Sequence, residues 1–186
     1  ALLEVMLRRL RESGHPAAAL VGDLATDNDA QRLARSGAPV HQIETGGNCH
    51  LEADMIAAHL AEWGIELKGL AYLFIENVGN LVCPASYDLG EHLRAVMLSV
   101  TEGEDKPLKY PTMFNSSDVT LITKIDIAEA VEFDREAAYA NVQAVRPGMT
   151  IFDTSAKTEQ GVADWLRYLA ERRESLHAAA PQIESS

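Results

Sequence analysis

The chain has 186 residues, 28 acidic against 16 basic, for a formal charge of −12, so nucleic acid and anionic membrane surfaces are repelled and are excluded as expected partners. Apolar residues make up 47% and charged residues 24%, the balance of a globular core rather than a disordered or collagen-like chain, and the length suits one domain of about 150 residues with trimmings. No apolar run approaches the roughly 20 residues of a membrane helix and no signal-peptide pattern opens the chain, so a soluble, cytoplasmic protein is expected.

The first ten residues carry leucines and a methionine at helical spacing and predict a helix over 1–12, with nothing ahead of Ala1 to cap it. In a doubly wound fold such a helix is normally preceded by a central strand and a ligand-holding turn, so the chain reads as starting inside an element. Short β-branched or apolar runs at 18–22, 40–43, 70–75, 93–100, 119–123 and 150–152 predict strands. Helical patterns at 28–36, 51–63, 133–145 and 161–175 alternate with them, punctuated at Gly37, Gly64 and Pro147-Gly148. This order predicts an α/β fold, a mostly parallel sheet with helices on both faces. No long helix separates 70–75 from 93–100, so either that connection is irregular or one of the two strands runs antiparallel. One domain is expected over 1–176, with a frayed tail at 177–186.

Four clusters carry chemistry. Phe74-Ile-Glu-Asn-Val-Gly79 is an apolar strand ending in a carboxylate with glycine three residues on. At the carboxyl end of a parallel strand Glu76 emerges where ligands gather, and Gly79 lets backbone N–H approach a phosphate. The string resembles the Asp-x-x-Gly element of G proteins, with Glu for Asp. Leu121-Ile-Thr-Lys-Ile-Asp126 and Thr154-Ser-Ala-Lys157 resemble their Asn-Lys-x-Asp and Ser-Ala-Lys elements. In G proteins that aspartate accepts from the N1 and N2 hydrogens of guanine, where adenine has no donors, and the lysine stem covers the base, roles the resemblance implies for Asp126 and Lys124. Each tetrapeptide alone also suits an ordinary strand-to-helix loop; in order at two strand ends they reinforce each other.

The fourth cluster is Gly46-Gly-Asn-Cys-His-Leu51 with Val82-Cys-Pro84. Thiolate and imidazole suit Zn2+ or Ni2+, and glycines allow the backbone angles that let neighbouring ligands converge. Three side chains do not close a tetrahedral site, so water or a second copy of the chain is needed to complete it. The alternative is that Cys49 and Cys83 are small buried hydrophobes and His50 a helix cap. One disulfide is a weak staple for a domain with this much core, so free thiols or metal ligands are expected.

These strings, with Val21-Gly-Asp23, Asp29-Ala30 and Thr101-Glu-Gly103, resemble the hydrogenase nickel-incorporation GTPases, the HypB family, over about residues 1–175. The resemblance implies a P-loop NTPase-like, SIMIBI-type G domain that dimerises with GTP and delivers nickel to a hydrogenase large-subunit precursor, together with other maturation proteins. It implies Asp23, Glu76 and Gly79 near Mg2+ and the terminal phosphate, Lys124 and Asp126 on guanine, and Ser155, Ala156 and Lys157 closing over the base of GTP or GDP. It implies Cys49, His50 and Cys83 as a nickel or zinc site at the dimer interface.

The family's Gly-x-x-x-x-Gly-Lys-Thr phosphate loop occurs nowhere in this sequence. Ala1-Leu-Leu-Glu4 resembles the stretch immediately after that loop, which implies a chain cut from a longer protein that lacks its first strand. Without that lysine and threonine the phosphates lose their principal partners, and hydrolysis by the chain as given is not expected. The competing readings are a non-catalytic metal-dependent dimerisation module, a urease-maturation-type GTPase, whose Cys-Pro-His triplet matches less well, and an ATP enzyme, which Lys124-x-Asp126 disfavours.

Overall fold

Helix α1 (Leu2–Glu12) opens the chain and buries six side chains, Leu2, Leu3, Val5, Met6, Leu7 and Leu10. They form two adjacent stripes, because residues three and four apart share a helix face. Leu3, Leu7 and Leu10 pack with Ala17, Ala19 and Val21, while Leu2, Val5 and Met6 pack with Val119, Leu121 and Trp165. The helix is therefore a wedge between two groups of strands.

The structure is a computed structural model that describes residues 1–23, 31 and 33–179. Its six strands are β1 (Ala17–Asp23), β2 (Val40–Glu44), β3 (Tyr72–Glu76), β4 (Ala95–Ser99), β5 (Val119–Thr123) and β6 (Thr150–Thr154). Among the described residues they form two three-stranded sheets, in the orders β2-β1-β3 and β4-β5-β6. Every pairing is parallel, so the antiparallel alternative for 70–75 and 93–100 falls away and the irregular connection stands. Instead of the single sheet expected, β3 and β4 are not hydrogen-bonded neighbours. Tyr72 and Phe74 of β3 nevertheless pack into the cluster that holds Val119 and Leu121 of β5 and Phe152 of β6.

Helices cover both faces, and strand alternation explains how. Ala17, Ala19 and Val21 of β1 face α1, whereas Leu20 joins Ile43, Leu51 and Ile56 under α2 (Ala53–Trp63). Val119 and Leu121 of β5 face α1 and the last helix, whereas Ile122 joins Phe114, Ala138 and Val142 on the other side. That side is built by the short helices α3 (Lys106–Lys109) and α4 (Pro111–Asn115), which the sequence pattern left unread, and by α5 (Arg135–Val145). Helix α6 (Val162–Ala179) runs past the expected end of the domain, so residues 177–179 are helical. Of the helix expected at 28–36, residues 31 and 33–34 are helical; the rest of its first half, and the tail from residue 180, lie outside the described residues. No described helix is long and apolar enough to cross a membrane.

A carboxylate locks α1 to the loop before α6. Glu159, in left-handed backbone at φ 62°, accepts from Arg8 Nη2 at 2.5 Å and Arg9 Nε at 2.6 Å. These bonds from Arg8 and Arg9 hold its carboxyl below the ordinary value of 4.5. A depressed carboxyl adds stability that is complete above its unfolded pKa and is lost as pH falls through the folded one. Glu159→Gln is therefore expected to lower Tm at pH 7 by an amount that shrinks steadily below about pH 4.5, read from paired thermal melts. Leu7, 0% exposed in the wedge, gives the larger effect: Leu7→Ala is expected to cost about 2–5 kcal/mol in urea unfolding.

Candidate functional site

Parallel strands put their carboxyl ends on one edge of each sheet, and the registers align them within it. Val21 stands opposite Glu76 and Asp23 opposite Glu44, while Ser99, Thr123 and Thr154 share one level. In an open parallel sheet this edge is where ligands bind. Asp23 closes β1, but its side chain, like Asp29 and Ala30, lies outside what the structure describes. Glu76 closes β3 and is exposed. Gly79 has no protein atom within 4 Å of where a Cβ would stand, which leaves the backbone open to approach. At β4, Thr101-Glu-Gly103 is a local cap: Ser99 Oγ accepts from Thr101 N–H, and Glu102 accepts from Ser99 N–H at 3.2 Å.

The two loops after β5 and β6 meet. Ser155, buried, donates its hydroxyl to Asp126 Oδ1 at 2.6 Å and accepts from the backbone N–H groups of Lys157 and Thr158. The Asp126 carboxylate is thereby oriented while remaining exposed. Lys124 adopts left-handed backbone at φ 61°, a strained state for a lysine of the kind that gathers at ligand sites. Lys124, Asp126, Ala156 and Lys157 line one cleft of about 510 Å³ together with Ala1, Val5 and Arg8 of the wedge helix. The arrangement offers an oriented carboxylate to N–H donors and an alkyl stem to a planar ring.

The thiol cluster is assembled by two loops. Gly46 and Gly47 take φ values of 60° and 93° in the turn before Cys49, which is the conformational role expected of them. Cys49, His50 and Cys83 each offer a ligand atom within 4.8 Å of the others. Against the expectation of free thiols, Cys49 and Cys83 are joined in a disulfide, with Cα atoms 6.2 Å apart. The turn at Asn48 and the 3₁₀ turn at Cys83–Ser86 bring the sulfurs face to face at the Cα separation a disulfide spans. His50 is not a cap: Glu52 is the N-cap of α2, with no side-chain bond. The imidazole instead stacks on Tyr87, centroids 3.8 Å apart, with Nδ1 3.6 Å from Cys49 Sγ and Nε2 3.1 Å from Glu52 Oε1. Donation of Nε2–H to the carboxylate leaves Nδ1 as a lone-pair ligand beside the sulfurs, the orientation seen in metal-binding histidines.

Two asparagines, unread from the sequence, tie this cluster to the strand end at Glu76. Asn77 Oδ1 accepts from the backbone N–H of Leu51 at 3.0 Å and of Val78 at 2.8 Å. Asn80 donates to the Cys49 carbonyl and accepts from Val82 and Cys83 N–H at 3.0 and 2.9 Å. The only signal for either was its place inside the string Glu76-Asn-Val-Gly-Asn80. Asn80→Ala is expected to weaken Ni2+ binding by the reduced protein about tenfold with Cys49, His50 and Cys83 all present, the scale for losing a residue that positions metal ligands, measured by calorimetry.

Comparison with known proteins shows the family. Residues 1–153 match the family model described as CobW/HypB/UreG, nucleotide-binding domain. The chain is 47% identical over 158 residues to the hydrogenase maturation factor HypB of Azotobacter vinelandii, covering 85% of this chain and 52% of that protein. With HypB of Escherichia coli K12 the identity is 46% over 172 residues, covering 92% and 58%. The crystal structure of HypB from Helicobacter pylori in complex with nickel superposes with a TM-score of 0.85 at 41% identity, over 92% of this chain and 81% of that one. The chain thus belongs to the CobW/HypB/UreG nucleotide-binding family, and within it to the HypB hydrogenase maturation factors. It spans about half the length of the curated relatives it matches.

Proposed function

We propose that the protein is a GTP-switched nickel metallochaperone of hydrogenase maturation, acting in the cytoplasm. The observation that carries this reading is the continuity of one loop. Glu76 and Gly79, on the nucleotide side, and Cys83, on the metal side, lie within eight residues of one another, and Asn77 and Asn80 between them bind the Cys49 loop directly. Movement of this loop with the state of the terminal phosphate and Mg2+ shifts Cys83 against Cys49 and His50. Nickel, the cargo, then binds through the two thiolates and His50 Nδ1, or zinc does so in its place. Asp126, Lys124 and Ser155 to Lys157 select GTP and GDP over adenine nucleotides. GTP hydrolysis requires a phosphate loop, which this chain does not contain, and is assigned to a longer protein carrying one.

Thiolates, not a disulfide, ligate metal, so reduction of Cys49–Cys83 precedes loading. The reduced chain is expected to bind Ni2+ and the oxidised chain to lose the thiol site, as is Cys83→Ala. In a longer protein with its phosphate loop, nickel affinity is expected to differ several-fold between GTP and GDP, and GTP affinity to change by the same factor with nickel, as linkage demands. Calorimetric titrations of both ligands measure this; equal nickel affinity in the two nucleotide states would sink the switch. The recipient is a nickel-enzyme precursor, the hydrogenase large subunit first and urease second, since the Helicobacter pylori relative is named a hydrogenase/urease maturation factor.

Three donors leave a metal's shell open, and beside them Val82 is 65% and Tyr87 39% exposed. A second copy of the chain meets both demands, completing the shell and covering the apolar side chains. Dimerisation that follows nickel but ignores nucleotide, measured by light scattering, would favour a non-catalytic assembly module over the switch.

A further inference from the structure

Between β2 and α2 two imidazoles face each other. His41, on β2 opposite Leu20, points its Nε2 at Nδ1 of His59 on α2, 3.1 Å away. Trp63, one helical turn beyond His59, lies against the His41 ring with centroids 5.2 Å apart and planes inclined by 24°. Both histidines are half-buried. The strand fixes one ring, the helix the other, and the indole limits rotation of the first.

We propose that His41 and His59 form a second binding site, for a first-row divalent metal ion of the nickel or zinc type. Two nitrogens bound at roughly 2.0–2.1 Å to one ion stand about 2.9–3.4 Å apart across square-planar to tetrahedral angles, and the observed 3.1 Å falls within that span. In the metal-free pair one ring donates the shared N–H to the other. On binding, the donor ring moves that proton to its outer nitrogen, so both facing nitrogens offer lone pairs and no net proton is released from the neutral pair.

Burial and the neighbouring His59 both push the His41 imidazole down, against the pull of Glu62. Glu62, exposed and three residues beyond His59 on the same helix, supplies the negative field a cation needs, and water completes the shell. The pair shares no residue with Cys49, His50 and Cys83.

The test uses the oxidised full chain, whose closed disulfide offers no thiolate, titrated with Ni2+ alone and followed by calorimetry and tryptophan emission. One saturable equivalent is expected, with quenching of Trp63, the tryptophan in contact with His41, and little change in Trp165, which is 2% exposed in the core. Trp63→Phe removes the quenched component without removing the equivalent. His41→Gln and His59→Gln are each expected to weaken binding at least tenfold while near-ultraviolet circular dichroism stays native. Cys83→Ala is expected to leave this equivalent in place. Absence of saturable binding, or binding unchanged in both glutamine variants, overturns the proposal and leaves the pair as a structural hydrogen bond.

Discussion

Burial of both stripes of α1 is the constraint on which the arrangement of this chain rests. β3 and β4 are not hydrogen-bonded neighbours among the described residues, and side-chain packing spans the two sheets. Leu3, Leu7 and Leu10 hold one sheet and Leu2, Val5 and Met6 the other. The hydrophobic effect is non-directional, so this packing brings the sheets together without setting an angle. Directional restraint comes from the two arginines on Glu159, which join α1 to the loop preceding α6. The cleft that holds Lys124 and Asp126 lies beside this junction, with Arg8 and Lys157 on its walls.

On the other half of the ligand edge, backbone and side-chain amides replace hydrophobic packing. Asn77 and Asn80 satisfy five backbone groups drawn from the β3 loop and the Cys49 loop. An asparagine amide both donates and accepts, which lets one side chain bridge two loops. The same logic places Glu52 and Tyr87 around His50, where together they set which ring nitrogen faces the sulfurs.

The strand cores at 18–22, 40–43 and 119–123 were legible because β-branched and apolar runs between turn residues have few alternative states, and all lie in strands. The four longer helices were legible for the matching reason at period 3.6. The short helices Lys106–Lys109 and Pro111–Asn115 were not, since four- and five-residue elements show no period and take their stability from Phe114 and Met113 in the core. Among candidate residues, Lys124, Asp126, Ala156 and Lys157 line one cleft, and Cys49, His50 and Cys83 form one cluster. Asp126 and Ser155 are joined directly by a hydrogen bond, whereas the disulfide reversed the expectation for the sulfurs.

The sequence by itself determined the order of strands and helices, the ends at which chemistry gathers, and the kind of ligand each string suits. Those are local properties: side-chain periodicity, glycine at special backbone angles, and donor or acceptor groups at fixed spacing. Tertiary structure alone decided the split into two sheets, the amide ties at Asn77 and Asn80, the tautomer that Glu52 imposes on His50, and the meeting of His41 with His59. Each of these joins residues distant in the chain or turns a side chain one way out of several. Such choices are settled by distances and by the need to satisfy buried polar groups, which appear only when the chain is folded.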